Sequence, residues 1–302
     1  MPSSKEIKSR IESVRDTQKI TNAMYLIAST KMRKAKSGLD LTRPYFTALR
    51  GEIKRIFRTV QDVESPYFYP LDGSTLPEGT YACLVITADK GLAGAYNQNV
   101  IRKAAELLEA HPDTQLYVVG EYGRRYYARR HIPIEQSFLY TAQNPTMQRA
   151  REISSILLDR FERGELKKIY VVYTDFQNGL SSEVRSTRLL PFHRTHFADS
   201  EPEKAVTAPF EFVPSIPVIL THMMQSYVSG FIYSALVDSF CSEQNARMTA
   251  MSSANQNAEN ILSELSLQYN RVRQAAITQE ITEVSAGARA QRSKGRKEAL
   301  SP

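Results

Sequence analysis

The sequence contains no tryptophan and only two cysteines, Cys83 and Cys241, among its 302 residues. Two cysteines so far apart supply neither a disulfide framework nor a thiolate metal site. No run approaches about 18 consecutive apolar residues, the length that a membrane-spanning helix needs. The first residues lack the apolar core of a secretory signal, and acidic Glu6 and Glu12 argue against a transit peptide. We therefore expect a reducing compartment and no direct membrane span.

The usual signatures of an enzyme are also missing. The five histidines are scattered without the spacing of a metal site, and no nucleophile motif is present. The segment TADKGLAGAYN (87–97) leads from a strand into a helix, but its glycines follow G-x-x-G rather than a dinucleotide or P-loop pattern. A tight turn is therefore favoured over a phosphate site. Carboxylates are plentiful enough to leave an acid/base pair open, but no pattern in the sequence indicates a catalytic residue, a metal or a cofactor.

Charge is distributed unevenly along the chain. The net charge of +7 combines +9 on residues 1–60, +4 on residues 270–302 and −6 on the residues between them. This disfavours a uniformly basic nucleic-acid module. The basic run at residues 31–36 spreads around a helix, and three interpretations stay open: a solvated face, an acidic protein partner or a nucleic acid.

Two long helices are predicted at opposite ends of the chain. Within residues 3–58, apolar residues recur at spacings of four and three, with a break or bend expected near Gly38 and Pro44. From 217 to 288 a seam of spacings three and four is typical of a coiled coil. The N-terminal stripe comprises Ile7, Ile11 and Val14, then Ile20, Met24 and Ile27 in a shifted phase. The C-terminal seam comprises Met251, Ala254, Ala258, Ile261, Leu265, Gln268, Val272 and Ala275.

The middle of the chain alternates between strand-like and helix-like segments. Strands are expected at 81–87, 116–120, 169–174 and, antiparallel, 182–192, with helices at 97–110, 121–130 and 144–163. We therefore predict an α/β fold in which the N- and C-terminal helices pair as a long antiparallel coiled coil. A small doubly wound, Rossmann-like domain is inserted between them. The predicted boundaries are 1–60 (N-terminal helix), 61–80 (linker), 81–208 (α/β domain), 209–290 (foot segment and C-terminal helix) and 291–302 (basic tail).

Four motifs, in order and spacing, resemble the gamma subunits of bacterial F-type ATP synthases. The C-terminal signature has the form I-T-x-E-x-x-E-x-x-x-G-A and runs from Ile277 to Ala288. The others are DTQKITNAMYLIASTKMRK (16–34), TADKGLAGAYN (87–97) and SEQNARMTAM (242–251). The resemblance implies a rotor shaft that couples rotation of the membrane c-ring to conformational cycling of the alpha/beta catalytic ring. It implies no catalytic residues and no cofactor in this chain.

The resemblance also implies roles for individual residues. Three residues would hydrogen-bond loops of the catalytic subunits: Arg273, Gln274 and Thr278. A belt facing an acidic loop of the beta subunit would comprise Lys31, Arg33, Lys34, Asp89, Lys90, Gly91, Leu92 and Ala93, with Met24 nearby. Glu280 and Glu283 would lie within the sleeve of the ring, and Phe210 and Phe212 in the foot near the c-ring.

The implied partners are the alpha and beta subunits, an epsilon subunit and the c-ring, with one copy of the chain per complex. The implied location is peripheral, on the cytoplasmic face of the bacterial plasma membrane, without nucleic acid. Two alternatives stay open. A nucleotide-binding α/β enzyme with helical arms would bind ATP or NAD tightly, and a coiled-coil nucleic-acid adaptor would bind with a strong salt dependence.

Overall fold

A computed structural model describes residues 3–59, 65–70, 79–139, 142–179, 181–193 and 212–298. Helix α1 spans Ser4–Thr59 and helix α5 spans Ile216–Glu298. The chain divides into two compact units, one formed by residues 1–26 with 251–302 and the other by residues 27–250. The elements between the long helices are β1 (Tyr81–Ile86), α2 (Tyr96–Ala110), β2 (Gln115–Val119), α3 (Glu121–Arg129), β3 (Gln136–Phe138), α4 (Met147–Glu162), β4 (Lys168–Phe176) and β5 (Ser182–Leu190).

The larger unit is built on a five-stranded sheet. The strand order is β3-β2-β1-β4-β5, in which the first four strands are parallel and β5 pairs antiparallel with β4. Alternate residues of each strand face opposite sides, so Leu84 and Ile86 join one hydrophobic cluster while Cys83 and Val85 join another. Strand β3 pairs with β2 and was not predicted from the sequence.

Helices cover both faces of this sheet. Helices α2 and α3 pack on one face through residues such as Val100 and Tyr127. On the other face, α4 and the adjoining parts of α1 and α5 share one cluster, to which Ile53, Leu157 and Ile232 belong. Because helices lie on both faces, the parallel strands are buried on both sides and are almost continuously apolar.

In the larger unit, α1 and α5 pass close to each other. Gly230 of α5 faces the ring of Phe46, and an added Cβ there would clash with that ring. The thiol of Cys241 lies 3.9 Å from the backbone oxygen of Met32. The absence of a side chain at Gly230 therefore allows the two backbones to approach.

Helix α1 continues through Pro44 instead of breaking there. Proline removes the hydrogen bond to the carbonyl four residues earlier. The carbonyl that loses its donor belongs to Asp40, and Asp40 and Pro44 are both exposed, so water can donate a hydrogen bond to this carbonyl. Packing of Ile53 and Ile56 in the core holds the following turns in register. The predicted break near Gly38 and Pro44 is therefore wrong, whereas the bend that was expected as the other possibility stays a prediction.

The smaller unit pairs the two ends of the chain. Ile7 and Ile11 of α1 are buried, and the Gln18 amide donates to Glu259 of α5 at 3.4 Å. The Thr21 hydroxyl also bonds Asn255. The partner number on α5 falls as the number on α1 rises, so the two helices are antiparallel. The predicted α/β fold with paired terminal helices is confirmed.

The seam of the smaller unit differs in detail from the prediction. Ile20 is exposed, because polar Gln18 and Thr21 continue the stripe instead. Ile27, the first residue of the larger unit, is also exposed, and the adjacent Ala28 is buried in its place. On α5, Ile261, Gln268 and Ala275 are also exposed. The residues that are buried or half-buried at heptad spacing are Met251, Asn255, Ala258, Leu262, Leu265, Tyr269 and Val272.

The described helices include none that is both long enough and apolar enough to cross a bilayer.

Candidate partner-binding site

The loop between β1 and α2 is fixed by bonds to its own backbone. The Asn97 side chain accepts the Ala88 N–H at 2.9 Å, and the Ala88 carbonyl accepts the Tyr122 N–H at 3.0 Å. Ala93 is only 2% exposed and anchors the loop in the α2 side of the core. This arrangement makes the loop a braced turn.

The two ends of this loop are also tied to neighbouring helices. Asp89 accepts the backbone N–H of Glu121, at the start of α3, at 2.9 Å. From α5, the guanidinium of Arg247 donates to the carbonyl of Gly91 at 3.0 Å and to that of Lys90 at 3.4 Å. The loop is therefore held between α3 and α5.

Arg247 is itself positioned by a carboxylate one turn earlier on α5. Its guanidinium lies 2.6 Å from Glu243, and the two side chains are only 13% and 7% exposed. Burial raises the pKa of Glu243, while the charge and hydrogen bond of Arg247 oppose the rise. Neither residue was among the predicted site residues. The motif SEQNARMTAM contains both, and their i, i+4 spacing was the available signal.

The structure brings part of the predicted belt together. Lys31 of α1 and Lys90 of the loop line one small hollow of about 40 Å³, which Arg247 and Glu243 also line. Lys31 and Lys90 are both exposed. Two basic side chains from separate elements thus meet at one place on the surface.

The other basic residues of the belt lie elsewhere on α1. Arg33 and Lys34 are exposed, and Arg33 lines a shallow surface groove with Lys36 and Asp40. Met32 and Ala35, which flank Arg33 and Lys34 in sequence, pack against the core. The basic run therefore spreads around the exposed side of α1 rather than forming a single patch. We call its four exposed residues, Lys31, Arg33, Lys34 and Lys36, the collar.

Leu92, at the tip of the loop, has an unusual backbone conformation. Its φ is 61°, in the left-handed region, and its side chain is 64% exposed. The left-handed conformation costs a non-glycine residue roughly 1–2 kcal/mol. The bracing by Ala93, Asp89 and Arg247 maintains it.

The C-terminal part of α5 carries the other predicted contacts. Arg273, Gln274, Thr278, Glu280 and Glu283 are all exposed. The Thr278 hydroxyl donates to the backbone carbonyl of Gln274 at 2.9 Å, and the amide of Gln279 donates to Glu283 at 2.9 Å. Every side chain described from residue 273 to residue 289 is exposed, so this stretch forms a helix without a cover from the described chain.

Three further predicted residues have different environments. Met24 is half-buried in the smaller unit. Phe212 is half-buried and packs against the core of the larger unit. Phe210 lies outside the described residues. The part of the chain that the structure describes contains no group of His, Cys, Asp and Glu able to hold a metal ion.

Comparison with known proteins identifies the family. A family model described as ATP synthase matches residues 3–291. The ATP synthase gamma chain of Caldanaerobacter subterraneus is 41% identical over 292 residues, covering 94% of this chain and 98% of the relative. The chain belongs to the ATP synthase gamma chain family. The gamma chain of Acetivibrio thermocellus is 38% identical over 290 residues, covering 94% of this chain and 98% of the relative.

Solved structures agree with this membership. A central stalk chain of the Tetrahymena thermophila mitochondrial ATP synthase is 26% identical, with a TM-score of 0.60, covering 78% of this chain and 99% of that one. A chain of the Euglena gracilis mitochondrial ATP synthase has a TM-score of 0.55 at 13% identity, covering 91% and 96%, and shares the fold.

The predicted function is thereby confirmed at the level of the family. The chain is a rotary subunit of ATP synthase, its central shaft, and it does not itself catalyse the ATP chemistry. It is a peripheral subunit of the F1 sector. The two alternatives, a nucleotide-binding enzyme and a nucleic-acid adaptor, receive no support from these relatives.

Proposed function

We propose that the collar and the braced loop form the surface through which the shaft meets the catalytic ring. The observation that carries this is the meeting of Lys31 and Lys90 beside a loop held from two sides. Their partner is an acidic loop of the beta subunit, as the family resemblance implies. Arg33 and Lys34 extend the positive charge around α1, so that acidic loops of successive subunits meet it as the shaft turns.

The exposed end of α5 forms the second contact. Its polar side chains Arg273, Gln274 and Thr278 are available to hydrogen-bond loops of the alpha and beta subunits at preferred angles. Glu280 and Glu283 follow within about one and a half turns after Thr278, within the sleeve of the ring. A helix satisfies its backbone hydrogen bonds internally. Because the side chains from residue 273 to residue 289 are all exposed, this stretch can present every face to surrounding subunits.

Different faces of the shaft must present different chemistry for rotation to act on the ring. Three identical catalytic subunits can be held in different states only if each meets a different surface. The collar supplies positive charge on one element, whereas the loop and the end of α5 supply other contacts. The foot of the chain, near Phe210 and Phe212, contacts the c-ring and an epsilon subunit. We place the complex, with one copy of this chain, on the cytoplasmic face of a bacterial plasma membrane.

Reconstitution tests this proposal. Mixed with its alpha and beta partners, the chain should form one complex that elutes together on a sizing column and hydrolyses ATP. The Lys31→Glu/Lys90→Glu double variant should assemble less well, and the defect should grow at low salt, where charge repulsion is least screened. Arg129→Glu is the matched control, because Arg129 is an exposed basic residue of the same unit that lies outside the hollow. Three components that stay separate would contradict the proposal.

A further inference from the structure

The tip of the braced loop combines a left-handed backbone with an exposed apolar side chain. Leu92 has a φ of 61°, while Gly91 and Gly94 stand on either side of it. Glycine adopts this conformation without steric penalty. A leucine at this position contributes little to the isolated fold, because its side chain is 64% exposed.

The surrounding contacts hold Leu92 outward instead of relaxing it. Ala93, the next residue, is buried in the core, and the carbonyl of the preceding Gly91 accepts from Arg247 at 3.0 Å. With both neighbours fixed, the side chain has little freedom to fold back. A loop whose backbone is already fixed loses less conformational entropy on binding than a mobile loop would.

Charge around the tip indicates the chemistry of the partner. Lys90 and Lys31 are exposed beside the loop. The nearby carboxylates face inward: one oxygen of Asp89 accepts the Glu121 N–H at 2.9 Å and the other is buried, while Glu243 pairs with Arg247 at 2.6 Å. The charged side chains that face outward around the tip are therefore positive, and the apolar side chain of Leu92 lies beside them.

We propose that Leu92 is an anchor that inserts into an apolar pocket rimmed by carboxylates on a subunit of the catalytic ring. The anchor supplies the contact energy, and Lys31 and Lys90 orient the approach of the acidic rim. Side chains that fill a desolvated pocket near the centre of an interface, ringed by contacts that exclude water, carry a large share of the binding energy of many interfaces. This inference rests on the proposed function, because it assigns a pocket to the subunit that the loop meets.

Three variants of Leu92 in the full reconstituted complex test the anchor. The readout is the dissociation rate of dye-labelled chain from the alpha/beta ring after dilution. Leu92→Ala should raise this rate at least about tenfold, in the range expected for loss of a buried anchor. Leu92→Met, which keeps the apolar volume, should stay within about threefold of the unchanged chain.

Leu92→Gly separates contact from folding. It removes the side chain but makes the left-handed backbone favourable, so the melting temperature of the free chain should hold or rise. Its dissociation should nevertheless be as fast as that of Leu92→Ala. Unchanged dissociation in both variants would overturn the anchor, while the Lys31→Glu/Lys90→Glu variant would still report on the charged contact. Failure of the unchanged chain to bind the ring would overturn the proposed function and the anchor together.

Discussion

Arg247 and Glu243, one turn apart on α5, form an ion pair of 2.6 Å with side chains only 13% and 7% exposed. The pair also connects the helix to the loop, because the same guanidinium donates to the carbonyls of Lys90 and Gly91. A buried ion pair contributes little net stability compared with apolar residues of the same shape. Its value here is positional: it fixes where the β1–α2 loop lies relative to α5.

Loss of one member of this pair should be costly. Arg247→Ala leaves the Glu243 carboxylate buried without its cation, and we expect the free energy of unfolding to fall by about 3 kcal/mol. The Glu243→Leu/Arg247→Met double variant removes both charges and should recover most of that stability. Urea denaturation of the full chain measures both changes.

Coupled ATP synthesis in membrane vesicles separates position from stability. The double variant should remain impaired, because no guanidinium holds the loop carbonyls. Synthesis that recovers together with stability would show that the pair does not position the loop.

The half-buried carboxylate of Asp238 should make stability depend on pH. Burial raises the pKa of Asp238 to about 6 from 3.8, and the neighbouring Asp175 adds to the rise. The Ser234 hydroxyl, which donates to Asp238 at 3.3 Å, and the charge of Arg43 oppose it. The folded chain therefore binds this proton more tightly than the unfolded chain does.

The sign follows from this difference in proton binding. The contribution of Asp238 to the free energy of unfolding is most favourable below pH about 4 and falls by about 3 kcal/mol as the pH rises to about 6. Above that pH the contribution is constant.

Asp238→Asn should remove this dependence and stabilise the chain at pH 8, as urea titrations at several pH values can measure. Asp113→Asn, at an exposed position, is the control and should change the profile little. A profile that Asp238→Asn leaves unaltered would contradict the shifted pKa.

The close approach of α1 and α5 makes Gly230 sensitive to any side chain. A Cβ at this position would clash with the Phe46 ring, so Gly230→Ala should destabilise the chain by about 1–3 kcal/mol through overpacking. Gly51 of α1 is the matched control, since nothing lies within 4 Å of a Cβ built there. Gly51→Ala should raise stability by roughly 0.5–1 kcal/mol, because alanine is the better helix former. Equal effects of the two substitutions on the urea midpoint would show that the helices do not meet at Gly230.

The sequence predicted the classes of element better than the phase of the helix seam. Strands such as β1 are buried runs of β-favouring residues, and their alternation with helices indicated the α/β domain. In the C-terminal seam, Ile261 and Gln268 were predicted to face the partner helix, whereas the half-buried residues are their neighbours Leu262 and Tyr269. Both registers satisfy a heptad, so periodicity alone could not choose between them.

Other features depended on tertiary contacts that spacing does not reveal. Strand β3 has three residues and exists because its backbone pairs with β2, a contact that leaves no periodic pattern in the sequence. The resemblance indicated the loop and Lys31, but the bond from Arg247 to the loop joins residues more than 150 positions apart. Its geometry could be found only once α5 was placed beside β1.

The exposed end of α5 offers the clearest separation between folding and coupling. Arg273 and Gln274 are exposed, so Arg273→Leu and Gln274→Leu should change the free energy of unfolding by no more than about 0.5 kcal/mol. If these side chains hydrogen-bond the catalytic subunits, leucine cannot replace the bonds, and the groups left unpaired on the ring add to the loss. Coupled ATP synthesis in membrane vesicles should therefore fall several-fold while the melting temperature of the free chain is unchanged. Arg271→Leu, at an exposed position of the same helix outside the predicted contact set, is the control for added surface hydrophobicity. Synthesis rates equal to those of the unchanged chain in both variants would remove the contact role from Arg273 and Gln274.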